Sequence, residues 1–561
     1  MMGIQLRLAV IRGCFWAYRP GPMPTIPQSL VTFGAGLLTA RVELRLRLRH
    51  WAVPAQESAF KRLLGMLAAT AQGRADGIEA RMPYRRFAAR LPIRTHEDFR
   101  PQIERMKQGE ADVLWPGHCP FFAATAGTTS GEPRHLPVTE GMLRHFRRMG
   151  PAALLSYTAR VGHAGIFRGR HLVLGGSTAL TRLAQPGDRP AYAGDILGIN
   201  TLNLPRWAEK HYVEPGAAIG ELTDWSAKLD AIARRCRGRD ITLLAGSPNW
   251  LLGFAEHLGS GRDGGPKVPH LRALWPNLEC VLHTGVPLDP YAAELAQACG
   301  PGVRFHEVYG ASEGLIAVQD RAGTQGLRLL ADGGLFFEFL PLADYDEERL
   351  AELGSKVVPL AGVERDRDYV ILLTTPAGLT RYVLGDVVRF VSTTPPRLIY
   401  VGRTQLQLNA FGERLIEKEI TDALVGVCRE HAWSIFNFHV APHRMHSITG
   451  QTRGRHEWWI ELRAGTAITP RGPLLEDQLD EKLLQLNAHY AARRKAGSLL
   501  APVVRLVMPG TFEDWMRRRG KWGGHNKMPR CRSDRDIADE LAQLTRFRPE
   551  TAAPWEQPAA P

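Results

Sequence analysis

Residues 303–310 read VRFHEVYG, a short run of β-branched and aromatic residues closed by a glycine. Three earlier runs are built the same way: HLVLGG from 171, ITLLAGS from 241 and LECVLHTG from 279. Each is bounded by Gly or Ser, and each is separated from the next by enough chain for a helix. That alternation predicts an α/β fold with crossover connections and a largely parallel sheet.

Upstream, to about Arg105, apolar residues recur at three- and four-residue spacing (Phe60, Leu63, Leu64, Met66, Leu67), which predicts helices. Downstream, GGLFFEFLPL from 333, DYVILLTT, TRYVLGDVVRFV and RLIYVG are closely spaced strands, as in an antiparallel sheet or small barrel. After Gly402 the pattern becomes a helix from Leu415 to Cys428, two strands (IFNFHVAP and EWWIELRA) and a long helix from Leu475 to Arg494. The expected organisation is an N-terminal extension over 1–30, a large domain over 31–404, a smaller α+β domain over 405–545 and a disordered tail over 546–561. The run LRLRLR at 44–49 suits an amphipathic helix or an edge strand.

The chain has 561 residues, 44% of them hydrophobic and 23% charged, so collagen-like, low-complexity and disulfide-scaffold classes are excluded. The seven cysteines are scattered, with no Cys-x-x-Cys pair, which fits a reducing, cytoplasmic compartment. The net charge of +14 comes mainly from arginine, since only 11 of the 71 basic residues are Lys, and it is spread along the chain. It suits anionic small substrates rather than nucleic acid. Arg7 and Arg12 interrupt the apolar N-terminus, and no run reaches the ~18 apolar residues of a membrane span, so neither a signal peptide nor a membrane partner is expected. A monomer or weak dimer is expected.

Ala124–Arg134, ATAGTTSGEPR, follows the apolar run FFA. Small residues (Gly127, Gly131) let backbone amides curl around phosphate oxygens, and Thr125, Thr128, Thr129 and Ser130 add hydroxyl donors. Arg134 adds a charge-assisted contact. The loop is neither a Walker motif nor a G-x-G-x-x-G fingerprint. In Tyr309-Gly310-Ala311-Ser312-Glu313-Gly314, Tyr309 can face a planar base and Glu313 can hold a divalent cation that bridges phosphates. Tyr382-Val-Leu-Gly-Asp386 offers a carboxylate after a glycine turn, suited to a ribose diol. Gly402, Arg403, Gly412 and Arg414 then bracket a strand at the domain junction. His439, His443 and His446 lie in HVAPHRMH, where Pro442 breaks helical pairing, and read as surface histidines. His283, at the end of a strand, has lining of the nucleotide or acyl site as one of its readings, and Tyr490, Arg493 and Arg494 have helix surface as one of theirs.

The order of these segments resembles the adenylate-forming superfamily, and within it the acyl-acid amido synthetases of the Gretchen Hagen type. The resemblance runs from about residue 55 to about residue 540. ATAGTTSGEPR is similar to that family's Ser-Ser-Gly-Thr-Thr loop, YGASEG to its Tyr-x-Ser-Ser-Glu segment and YVLGD to its Tyr-Arg-Leu-Gly-Asp segment. GHNKMPRC at 524–531 is similar to its Tyr-Lys-x-Pro-Arg segment. Thr125, Ala126, Ala311 and Val383 depart from the family pattern without removing a chemically essential group.

The resemblance implies an adenylate-forming fold with a mobile C-terminal domain. It implies a ligase that uses ATP and Mg2+ to activate a small carboxylic acid and passes the acyl group to an amino acid or other amine. It implies ATP contacts from residues 125, 127–131, 134, 309–313, 386 and 403, with Glu313 and Lys527 catalytic and Lys527 set against the α-phosphate. Lys521 is the rival lysine, outside the matching segment. Two other functions remain open at this point: transfer of the acyl group to a thiol, and a non-catalytic nucleotide- or nucleic-acid-binding protein.

Overall fold

The computed structural model describes residues 28–47, 50–125, 134–183, 189–323, 326–404, 406–446, 452–463, 472–520, 522 and 528–544. The expected extension and tail therefore lie almost wholly outside the described residues.

Helices fill the first hundred described residues, among them Gln28–Arg47, Ala52–Leu67 and His96–Lys107. The strands that follow, in chain order, are β1 (Phe121–Thr125), β2 (Arg134–Val138), β3 (Arg170–Val173), β4 (Ile241–Gly246), β5 (Cys280–His283) and β6 (Arg304–Ala311). Between them lie α1 (Glu140–Val161), α2 (Trp225–Cys236) and α3 (Pro248–Gly259). Each helix starts where its sequence supplies a signal. The Thr139 hydroxyl accepts from Met142 N at 3.2 Å, Asp224 accepts from Ala227 N at 2.7 Å, and Pro248 opens α3. α1 stops at Gly162, which takes a left-handed φ of 80°.

β3, β4, β5 and β6 are parallel neighbours, as the alternation of strands and helices predicts. The sheet continues without a break through β7 (Gly314–Val318), β8 (Leu327–Leu329), β9 (Phe336–Pro341), β10 (Asp368–Thr374), β11 (Tyr382–Thr393) and β12 (Pro396–Arg403), now antiparallel. With two short edge strands at 213–214 and 358–359 it has twelve strands in one linear order. Among the described residues the antiparallel half is not a separate closed barrel, because β8 pairs both with β12 and, through β7, with the parallel half. It is curled, however. Leu329, Phe337, Phe339, Tyr369 and Phe390 from four strands form one buried cluster inside the curl. Burying such side chains contributes about 1.5–3 kcal/mol each.

Arg381, just before β11, fixes this half to the helices beneath it. It is 0% exposed at a positive φ of 48°. Its Nε donates to Glu338 Oε1 at 3.2 Å, and its Nη1 donates to the carbonyls of Ala88 and Leu91, both at 2.7 Å. Tyr84 donates to the same Glu338 oxygen at 3.0 Å.

The C-terminal region has α4 (Glu417–Glu430), β13 (Ile435–His446), β14 (Thr452–Leu462), α5 (Gly472–Leu486) and β15 (Val503–Val507). The long helix expected over 475–494 is two helices. Asn487 is extended and accepts from Tyr490 N at 2.7 Å, starting a second helix at Ala488. Tyr490 is buried rather than on a helix surface, and its hydroxyl donates to Asp480 at 2.6 Å. His439 is likewise no surface histidine. It is 0% exposed on β13, and its Nδ1 lies 2.8 Å from Pro529 O. One face of this region packs on α3: Trp459, Phe512 and Trp515 share a buried cluster with Phe254 and Leu258. Trp522 meets Trp250 edge-on at 5.0 Å between ring centres, and Arg530 Nη2 donates to the Tyr291 hydroxyl at 2.8 Å. Among the described residues no helix is long and apolar enough to cross a membrane.

Candidate active site

A cleft of about 2770 Å3 runs along the carboxyl ends of β3–β6, past the curled half of the sheet, to the C-terminal region. Crevices at strand ends are where α/β sheets bind ligands. Its apolar stretch is lined by Leu143, Phe146, Leu154, Phe167, Val173 and Leu282. The buried Lys228, from α2, closes one side. Its ammonium donates to Gly176 O at 2.6 Å and Gly220 O at 3.0 Å, and burial lowers its pKa.

The polar end is built from β6, β7, β11 and β12. Tyr309, Gly310 and Ala311 end β6, and Ser312-Glu313 is the two-residue turn into β7, where Gly314 pairs back with Ala311. Gly314 has a φ of 146°, and a Cβ there would lie 2.7 Å from Leu335 Cδ1 and 2.9 Å from His145 Nε2. That turn is pinned from below by the buried His145 of α1. Its Nε2 accepts from Leu315 N at 2.9 Å and its Nδ1 donates to Gly333 O at 2.8 Å. Burial takes the His145 pKa down to about 4, consistent with this neutral form.

Asp386 does not sit in a turn. It is inside β11, just after Gly385 (φ 83°), opposite Arg403 on β12. The curl of the sheet brings Tyr309 across to it. The Tyr309 hydroxyl donates to Asp386 Oδ2 at 2.6 Å, and Arg403 Nε donates to Oδ1 at 2.9 Å. Asp386 is 3% exposed, whereas the Arg403 side chain is 44% exposed, open to the cleft. The Tyr309 ring stands edge-on to Tyr400 at 5.8 Å and is itself nearly buried, leaving little of its face for a planar base. Burial and the Asp386 carboxylate push the Glu313 carboxyl up to about 7, against a hydrogen bond from Tyr382 and the charge of Arg403. Burial and the Glu313 carboxylate push the Tyr382 hydroxyl well above its ordinary pKa, against the nearby charge of Arg134, which lies on β2 and pairs with Thr125 on β1.

The structure thus brings Tyr309, Gly310, Ala311, Ser312, Glu313, Asp386, Arg403, Thr125 and Arg134 to one cleft. Gly127, Thr128, Thr129, Ser130, Gly131, Lys521 and Lys527 lie outside the described residues. Three further residues of the site are not marked in the sequence: Tyr382 as a partner of Glu313, His145 and Lys228. No motif marks the latter two, although a lone Lys in a helix with apolar neighbours was a usable signal. His283 lines the cleft, as one of its readings had it.

A magnesium ion at this site finds one fitting carboxylate. Among the described residues there is no group of three or more His, Cys, Asp or Glu that could hold a metal alone. Magnesium is commonly held by one or two carboxylates together with substrate phosphates, and Glu313 beside Asp386 fits that pattern.

Comparison with known proteins gives the family. The GH3 family N-terminal domain matches residues 47–303, the GH3 family central domain 328–403 and the GH3 family C-terminal domain 418–536. The indole-3-acetic acid-amido synthetase GH3.8 of Oryza sativa subsp. indica is 25% identical over 554 residues, covering 85% of this chain and 87% of its own. A GH3 domain-containing protein of Homo sapiens is 29% identical over 357 residues, covering 60% of this chain and 65% of its own. In fold, the AtGH3.15 acyl acid amido synthetase in complex with 2,4-DB matches with a TM-score of 0.69 at 16% identity, over 95% of this chain and all of that one. A 2-hydroxyisobutyryl-CoA ligase in the postadenylation state matches with a TM-score of 0.50 at 14% identity, over 94% of this chain and 96% of that one. The chain belongs to the GH3 family and is an amide-forming ligase that works through an acyl-adenylate.

Proposed function

We propose that this protein joins a small carboxylic acid to an amino acid or related amine, and that the cluster at the polar end of the cleft performs the activation. The observation that carries the reading is the convergence of Tyr309, Glu313, Tyr382, Asp386 and Arg403, from three strands and the β6–β7 turn, onto one pocket wall. In the first half-reaction the acid's carboxylate attacks the α-phosphate of ATP and pyrophosphate leaves. In the second the amine attacks the acyl carbon and AMP leaves. Neither step needs a protein nucleophile, so catalysis is positioning and charge stabilisation.

Asp386 accepts from the ribose diol, held in place by Tyr309 and Arg403. Arg403, half open to the cleft, faces phosphate charge. Thr125, Arg134 and the loop 127–131 hold the outer phosphates. Glu313 is the protein ligand of Mg2+, which neutralises phosphate charge when bound. Residues 31–404 form the substrate-binding domain, and 405–545 move as a unit that delivers Lys527 to the α-phosphate. The free, buried cysteines among the described residues fit a cytoplasmic setting, and a monomer or weak dimer suffices for a site built from one chain.

The test is a carboxylate library that includes indole-3-acetic acid and 2,4-DB, the acids named with its relatives, assayed for pyrophosphate release with and without amino acids. An acid that supports release, and an amide product when an amino acid is added, is the expected outcome. No acid-dependent release anywhere in the library overturns the reading.

A further inference from the structure

A second polar cluster lines the cleft, away from the nucleotide strands. β5 and β6 run parallel with His283 directly opposite Glu307. Asp289 follows β5, at the start of the short turn Asp289–Tyr291. Alternation along β6 puts Glu307 on the same side as Tyr309, about 7 Å back along the strand. All of these residues line the cleft. Among the described residues no ion pair is made by either Glu307 or Asp289. Both side chains are exposed to the cleft, and the protein crowded around Glu307 together with the nearby Asp289 carboxylate pushes its carboxyl up to about 6. Independently, the His283 ring is 3% exposed, and its Nδ1 has no hydrogen-bond partner among the described residues. Burial takes its pKa down to about 4, so the ring is neutral and offers an acceptor nitrogen rather than a second positive charge.

Two carboxylates and an unpaired neutral imidazole have one natural complement, a group that is cationic and carries several N–H donors. A primary ammonium has three. The corner is also where the two parts of the chain meet, since Arg530 donates to Tyr291 two residues from Asp289. Arg530 is itself buried, with its two terminal nitrogens donating to Asn437 and Tyr291, so it braces this corner.

We propose that Glu307, Asp289 and His283 form the acceptor subsite, which binds the ammonium of an amino acid and takes its first proton into the Glu307 carboxylate. This rests on the amide-synthetase reading above. The freed amine lone pair forms the N–C bond to the acyl carbon, and the bond from that carbon to the phosphate oxygen breaks, its electron pair leaving with AMP. A second proton passes from the nitrogen to water in the open cleft as the amide forms. A carboxylate whose pKa lies near the working pH is suited to the first transfer.

Two measurements test it. The first is saturation-transfer NMR with glycinamide, which carries an ammonium and no carboxylate and needs no adenylate. Glycinamide should bind the unaltered protein and lose binding in Glu307→Gln and Asp289→Asn. No binding to the unaltered protein, or equal binding to both variants, overturns the subsite. The second uses an acid found active in the library. ATP–pyrophosphate exchange and hydroxamate formation with hydroxylamine should persist in Glu307→Gln, while the amino-acid KM rises about tenfold or more, as loss of a charge-assisted contact predicts. Parallel loss of exchange would assign the cluster to adenylation and overturn the proposal. Absence of exchange in the unaltered protein with every acid counts against the amide-synthetase reading, and the glycinamide result still decides the subsite.

Discussion

The Tyr309 hydroxyl lies 2.6 Å from Asp386 Oδ2, although three strands separate β6 from β11 in the sheet. Only the curl of the sheet makes this contact possible, so this wall of the cleft depends on the curvature of the β-structure and not on any local turn.

Asp386→Ala should raise the KM for ATP by roughly 10- to 100-fold, because a buried hydrogen bond to a charged group contributes about 1.5–3 kcal/mol. Tyr309→Phe, which leaves the carboxylate in place but untethered, should raise it by a smaller factor. Initial rates of pyrophosphate release against ATP concentration measure both. An unchanged KM in a folded Asp386→Ala protein removes Asp386 from the ribose site.

With Glu313 as the magnesium ligand proposed above, magnesium dependence should be a function of pH. With its carboxyl pushed up to about 7, the free protein holds a proton there that a metal must displace. The magnesium concentration for half-maximal activity should therefore fall as pH rises from about 6 to about 8. In Glu313→Gln it should be higher and flat across that range. In the ligand-free protein the sign is the reverse of the usual carboxylate case. The folded state binds the proton more tightly than the ordinary carboxyl value of 4.5, so this group's stabilising contribution is lost as pH rises through about 7. A pH-independent magnesium requirement in the unaltered protein would contradict the assignment.

Arg381→Met should destabilise the protein by about 3–5 kcal/mol, since Glu338 is then a buried carboxylate short of its cation. Adding Glu338→Leu to that variant should recover part of the loss. Denaturant titration reads both variants, and a double variant no more stable than the single one would show that the ion pair is not the cause.

Lys527→Ala should slow adenylate formation by on the order of a hundredfold, the usual effect of losing one preorganised donor. Supplied with synthetic acyl-adenylate, the same variant should still form amide at close to the unaltered rate, because the bond that Lys527 helps to make is already present. Lys521→Ala should leave both steps nearly intact. The opposite pattern in the two lysines shifts the C-terminal alignment.

Much of this was legible in the sequence. The parallel strands announced themselves because strands covered on both faces are continuous apolar runs, such as ITLLAGS. The motif residues were legible because small residues and carboxylates at strand ends have few structural uses. What escaped was non-local. Nothing in YVLGD says that Tyr382 will reach Glu313, or that Tyr309 will be mostly covered by Tyr400. His145 and Arg381 were missed because their partners are backbone groups and carboxylates up to 293 residues away in the chain. His439 is hidden for the same reason: a histidine-rich, proline-containing run reads as surface, while its imidazole finds Pro529 O in the interior.

The two-residue rhythm of β6 has an evolutionary consequence. Phe305, Glu307 and Tyr309 face the cleft, while His306 turns the other way to the carbonyl of Ala153. Inserting or deleting one residue between 303 and 309 would exchange these two sets and would empty both ends of the site together. Relatives that accept different substrates should therefore diverge along this strand by replacement at fixed length, keeping their insertions for the loops. A saturation library of this segment should tolerate many substitutions at 305 and no change of length.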